Sequence, residues 1–149
     1  RTLPVIWAED SQLSGDLIDI KVKEQTIENL VMYPNAFVIQ QDSIKGFNQV
    51  KGKEITTFFK DNDIDNMYNK GNAETIYWLR DDDGSLMGIN ISQSDEMNII
   101  IRNRQISRIK HYNNIKETLY PEKQLKDDME YLKGFLWQEE KKPVRREFF

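Results

Sequence analysis

The chain repeats itself. Laid on itself without a gap, "LSGDLIDIKVKEQTIENLVMYPNAFVI" from Leu13 falls on "VKGKEITTFFKDNDIDNMYNKGNAETI" from Val50. Gly15 then meets Gly52, Ile18 meets Ile55, Val22 meets Phe59, Ile27 meets Ile64, Leu30 meets Met67, Asn35 meets Asn72 and Ala36 meets Ala73. A third copy sets Met97, Ile101, Ile106, Ile109, Asn114 and Ile115 on Ile55, Phe59, Ile64, Met67, Asn72 and Ala73, its extra residues absorbed by the turn "RDDDGSLMG". Such a repeat narrows the possible folds more than any single motif does. One copy cannot cover its own apolar face, so its neighbours must.

Within each copy the same local instructions recur. Ile18, Ile20 and Val22 alternate with Asp19 and Lys21, and Met97, Ile99 and Ile101 with Asn98 and Ile100, the period of a strand that buries one face. Polar linkers ("KEQT", "KDND", "RNRQ") follow and suit hairpin turns. After Ile27, Ile64 and Ile106 the next apolar residue (Leu30, Met67, Ile109) comes one place late, which predicts a bulge or corner. Asn35, Asn72 and Asn114 stand before the next strand, where asparagine tolerates positive φ. Residues 36–40 and 73–79 are apolar on both faces, so their inward side stays open. The pattern predicts an all-β fold of repeated antiparallel strands, solenoid-like or jelly-roll-like, about nine to ten strands in all. Its free edges would invite end-to-end pairing with another copy or chain.

At the N-terminus "LPVIWAED" reads as an edge strand entered after Pro4. Towards the other end Pro121, then Leu125, Met129 and Leu132 at helical spacing, then Gly134, predict an amphipathic helix over about 121–133. Its apolar stripe, with Phe135 and Trp137, is expected to cap the open end of the stack. The organisation expected is one domain over 1–137, with repeats at about 13–46, 47–86 and 87–120, and a charged tail over 138–149.

The chain offers little for catalysis. Both signs of charge are interspersed around a net −4, which disfavours nucleic acid as a partner. No apolar run approaches the roughly 18 residues of a membrane helix. The chain holds no cysteine, which removes thiolate chemistry and disulfides. "DNDIDN" from Asp61 opens like a calcium loop but has Asn66 and Asn72 where Gly and Glu belong, so a polar hairpin turn is expected. "DDDG" from Asp81 reads as another turn. His111 falls where the earlier copies have Met32 and Asn69, a repeat-surface position rather than a catalytic one. No metal, cofactor or catalytic residue is therefore assigned, and an enzyme is not expected.

Taken together, "LSGDLIDIKVKEQTIENL", "FNQVKGKEITTFFKDNDIDNM", "KGNAETIYW" and "LKGFLW" resemble the LptA/OstA-like proteins of lipopolysaccharide transport, in particular a C-terminal portion of the OstA-like branch. The resemblance implies an open V-shaped β-jelly roll, or β-taco, working in the periplasm in outer-membrane biogenesis. It implies lipopolysaccharide as ligand, and other jelly-roll transport proteins or further copies as partners joined by strand addition. The apolar rows then become candidates for a lipid groove: Ile18, Ile20, Val22, Ile27 and Leu30 from the first copy, Ile55, Phe59, Ile64 and Met67 from the second, Met97, Ile99, Ile101, Ile106 and Ile109 from the third. Shielding acyl chains there is worth about 0.8 kcal/mol per buried CH₂ before ordering costs. An alternative remains, in which the rows close on one another as the core of a structural or adhesion module that binds a protein or glycan on its outer face through Trp78 or Tyr77.

Overall fold

A computed structural model describes residues 4–42 and 46–142. Eleven strands follow one another: β1 (Val5–Ala8), β2 (Ser11–Ser14), β3 (Leu17–Lys23), β4 (Thr26–Tyr33), β5 (Ala36–Gln41), β6 (Phe47–Gly52), β7 (Glu54–Lys60), β8 (Asp63–Arg80), β9 (Leu86–Arg102), β10 (Gln105–Tyr112) and β11 (Lys116–Pro121). All pair antiparallel in one sheet ordered β1-β2-β5-β6-β8-β7-β4-β3, with β9 beside β8, and β10 and β11 both beside β9. The fold is all-β, an open sheet curled into a half-barrel like a β-taco or jelly roll.

The curl follows from the repeat. β8 pairs with β7 over its first half and with β6 over its second, while β9 pairs with β11 and then β10, so these two strands run through both walls of the V. One wall is β3, β4, β7, the first half of β8, the second half of β9, and β10. The other is β1, β2, β5, β6, the second half of β8, the first half of β9, and β11.

Where the walls meet, each copy makes the same corner. Asp16 N–H donates to the Pro34 carbonyl (3.0 Å), Lys53 to Gly71 (2.9 Å) and Asp95 to Asn113 (3.0 Å). Asn35, Asn72 and Asn114 take the expected left-handed backbone, with φ of 57°, 50° and 52°. At the opposite ends of the strands Glu24–Gln25, Asp61–Asn62 and Asn103–Arg104 all have positive φ at both residues, the two-residue hairpin turn that matches strand twist. Just beyond each turn the register slips, leaving Glu28, Asp65 and Ser107 unpaired. These are the bulges that the late apolar residues predict. Corners line the spine of the V and hairpin tips line its mouth.

The C-terminal segment departs from expectation. Pro121 ends β11, paired with Gly88, instead of opening a helix. Residues 122–142 run as an extended strap with short 3-10 turns at Glu122–Gln124, Asp127–Glu130 and Glu139–Lys141. Nor does the strap cap an end of the stack: Leu125 and Leu132 pack on Ile76, Trp78 and Ile89, on the outer face of the second wall. Helical spacing of three residues lost to a sheet surface already apolar on its outer side, where an extended chain reaches farther. Of the expected charged tail, 138–142 belong to this strap and 143–149 lie outside the described residues.

Candidate binding trough

Register places the three copies' apolar residues in continuous rows across the first wall. One row runs Ile18, Met32, Ile55, Asn69, Met97, His111; the next runs Ile20, Leu30, Thr57, Met67, Ile99, Ile109. A third, nearest the mouth, holds the pairs Val22–Ile27, Phe59–Ile64 and Ile101–Ile106. All fourteen candidate groove residues thus share the inward face. Equivalent residues stack because the copies are in frame and side chains alternate strictly along a strand.

Across the V, Ala36, Val38, Ala73 and Tyr77 also point inward, whereas Phe37, Ile39, Ile76 and Trp78 point outward under the strap. Two-faced apolarity in residues 36–40 and 73–79 is thereby explained: both faces are covered. Trp78 is 2% exposed and Tyr77 donates its hydroxyl to the Ile106 carbonyl (3.1 Å), so neither is the exterior aromatic platform expected of a glycan-binding module.

The inward rows differ in accessibility along the trough. In the middle the walls touch: Leu30, Met32, Ile55, Met97 and Ile99 are fully buried and pack with Leu13, Val38 and Val50. Those positions form a packed core rather than an open groove. At the first edge strand and its hairpin partner the same rows are open, with Ile20, Val22 and Ile27 at 49%, 59% and 38% exposed. On the second wall, Leu119 of β11 and Ile115 just before it are 50% and 52% exposed. β3, paired only with β4, and β10, paired only with β9, have no further strand on their outer sides among the described residues.

Between the hairpin tips a slot of about 660 Å³ remains. Ile64, Met67, Ile101 and Ile106 line it from one wall and Val38 and Val50 from the other. Three polar contacts cross its mouth: Gln40 Nε2 donates to the Arg104 carbonyl (2.6 Å), the Tyr77 hydroxyl to Ile106, and Arg104 pairs with Glu9 (3.5 Å). Burial, helped by the charge of Asp42, holds the Tyr77 phenol above its ordinary pKa of 10.0. Neither a family model, nor a curated protein, nor a solved structure matches the chain.

His111 is not a free surface group. It faces inward opposite Met97, and its Nδ1 lies 3.3 Å from the Ser94 hydroxyl. Gly15 against Met32, Gly52 against Asn69 and Ser94 against His111 are one corner contact written three times.

Gln12 and Gln49 carry no signal of their own. Both are buried on the outer face of the second wall and hold the strap, yet each looks like an ordinary polar strand residue. The signal lies one residue upstream of the aligned block, where the same frame sets Gln12 on Gln49.

Proposed function

We propose that this chain is one module of a longer apolar trough that shields the acyl chains of an amphipathic lipid from water. The observation that carries this is the run of inward apolar rows through every strand of the first wall, half-exposed at its β3–β4 end and lying beside the 660 Å³ slot. A sealed single domain would bury Ile20, Val22 and Ile27, whereas a module of a continuing trough presents them to the next module. Each half-exposed residue adds to the apolar surface that a neighbouring jelly roll or second copy covers by strand addition at β3 or β10. Lipopolysaccharide in the periplasm is the ligand and place that the resemblance to the LptA/OstA-like proteins implies. Carriage asks only for apolar surface, so no catalytic group is assigned.

Photo-crosslinking side chains at Ile106, Ile101 and Ile20 test this in cells that make the protein. Lipid adducts are expected from these inward positions and not from Ile100 or Tyr112 on the outer face. Adducts from neither set, or equally from both, would reject carriage.

The fully buried middle of the rows favours a second reading, a closed β module whose interior holds no ligand. In that case inward crosslinkers yield only intramolecular products.

A further inference from the structure

The slot has a floor and a rim of opposite character. Its floor is aliphatic, but its rim carries the carboxylates of Glu9, Asp10, Asp42, Asp63, Asp81 and Asp82 against the two guanidiniums of Arg80 and Arg104. Both cations are already engaged. Arg80 Nη2 lies 2.5 Å from Asp42, and Arg104 is shared between Glu9 (3.5 Å) and Asp63 (3.6 Å). Lys142 of the strap reaches Asp10 (3.0 Å). Asp81 and Asp82, exposed on the β8–β9 tip, have no cation within ion-pair distance among the described residues. Among the described residues, a surplus of negative charge therefore lies where the polar end of anything seated in the slot must sit. Low-dielectric walls focus that field into the mouth.

We propose that the amphiphile whose chain enters this slot carries a cationic head group, an ammonium or guanidinium. This rests on the reading of the trough as a carrier of apolar chains and adds the chemistry of the other end. The volume falls within the roughly 300–1,000 Å³ of pockets that enclose a small ligand, so one chain with its head at the rim is the fitting occupant. A head group with free phosphates meets the unpaired Asp81 and Asp82 and is repelled. For lipopolysaccharide to use this mouth, its phosphates would have to be neutralised first. Asp81 and Asp82 are exposed, so added salt, by shortening the Debye length, weakens their attraction for a cation.

Displacement of the neutral apolar dye N-phenylnaphthylamine from the purified chain tests this, using three twelve-carbon amphiphiles below their micelle concentrations: dodecyltrimethylammonium, dodecyl maltoside and dodecyl sulfate. In low salt the trimethylammonium amphiphile is expected to bind roughly tenfold tighter than the sulfate, with the maltoside between them. That ratio should shrink towards one in high salt and in the double variant Asp81→Asn, Asp82→Asn, whose exposed positions leave the fold unchanged. Equal binding of all three, or a preference that survives the double variant, overturns the charge selection and leaves carriage standing. Failure of all three to displace the dye overturns both.

Discussion

Gln12 and Gln49 stand on one outward row of the second wall with Ile39 between them, and each grips the backbone of the strap by two hydrogen bonds. Gln12 Nε2 donates to the Leu136 carbonyl and its Oε1 accepts from Gln138 N–H, both 2.8 Å. Gln49 Nε2 donates to the Glu130 carbonyl (2.7 Å) and its Oε1 accepts from Leu132 N–H (2.8 Å). A primary amide carries the same donor and acceptor as a peptide unit, so each glutamine stands in for a strand that the strap does not have. Aromatic packing completes the hold, Trp137 lying 5.0 Å from both Trp7 and Phe47.

Gln49→Leu is accordingly expected to leave the Glu130 carbonyl and Leu132 N–H without partners at a site of zero exposure. The cost should be about 1–3 kcal/mol, read as a lower urea midpoint, together with faster proteolysis within residues 122–142. An unchanged midpoint would mean the aromatic contacts alone retain the strap.

Position along a row should matter more than residue type. Ile99 is fully buried in the middle of the second row, and Ile20 is 49% exposed at its edge. Ile99→Ala should cost about 2–5 kcal/mol through the cavity it leaves, and Ile20→Ala about 1 kcal/mol or less. Equal losses in chemical denaturation would contradict the placement of the core.

The corner contact of the second copy can be dissected by a double-mutant cycle. A Cβ on Gly52 would lie 1.8 Å from Asn69 Oδ1, and Asn69 Nδ2 donates to the Lys51 carbonyl at 2.8 Å. Gly52→Ala must push that side chain off its acceptor, for about 1–3 kcal/mol. Made in an Asn69→Ala background it should cost at least about 1 kcal/mol less. Additive losses would show that the two residues do not share the corner.

Alkaline pH probes the crossing of the mouth by Tyr77. Its phenol is held above 10.0 in the folded chain, so the folded state keeps the proton to higher pH than the unfolded state does. The stability this represents is complete below pH 10 and is lost as pH rises through the folded value. Tyr77→Phe should be less stable than the parent at pH 8, by about 0.5–1.5 kcal/mol for the lost bond to Ile106. The gap should narrow above pH 10 in urea titrations; a constant gap would mean that the phenol titrates alike in both states.

Local periodicity made much of this fold readable. Alternation in Ile18–Val22 and Met97–Ile101, the paired polar turn residues, the late apolar residues behind the bulges and the asparagines at the corners each report conformations decided within a few residues. The strap was not readable in that way. Leu125, Met129 and Leu132 keep a helical interval, and only the outward Ile76, Trp78 and Ile89 with the amide of Gln49 draw that segment out along the sheet. Likewise side-chain alternation sets the candidate groove residues on one face, but their division into a packed middle and an open β3–β4 end depends on the approach of Leu13, Val38 and Val50 from the opposite wall.

Backbone sterics and side-chain alternation act over neighbours in the chain, so the order of residues already specifies the strands, their turns, their bulges and the sharing of one face by in-frame residues. How nearly the walls of the V close, which apolar face the strap covers and the gathering of acidic hairpin tips around one slot emerge only once the whole sheet has folded. Those outcomes turn on contacts between residues as far apart as Gln12 and Leu136, whose burial is settled only when every strand is in place.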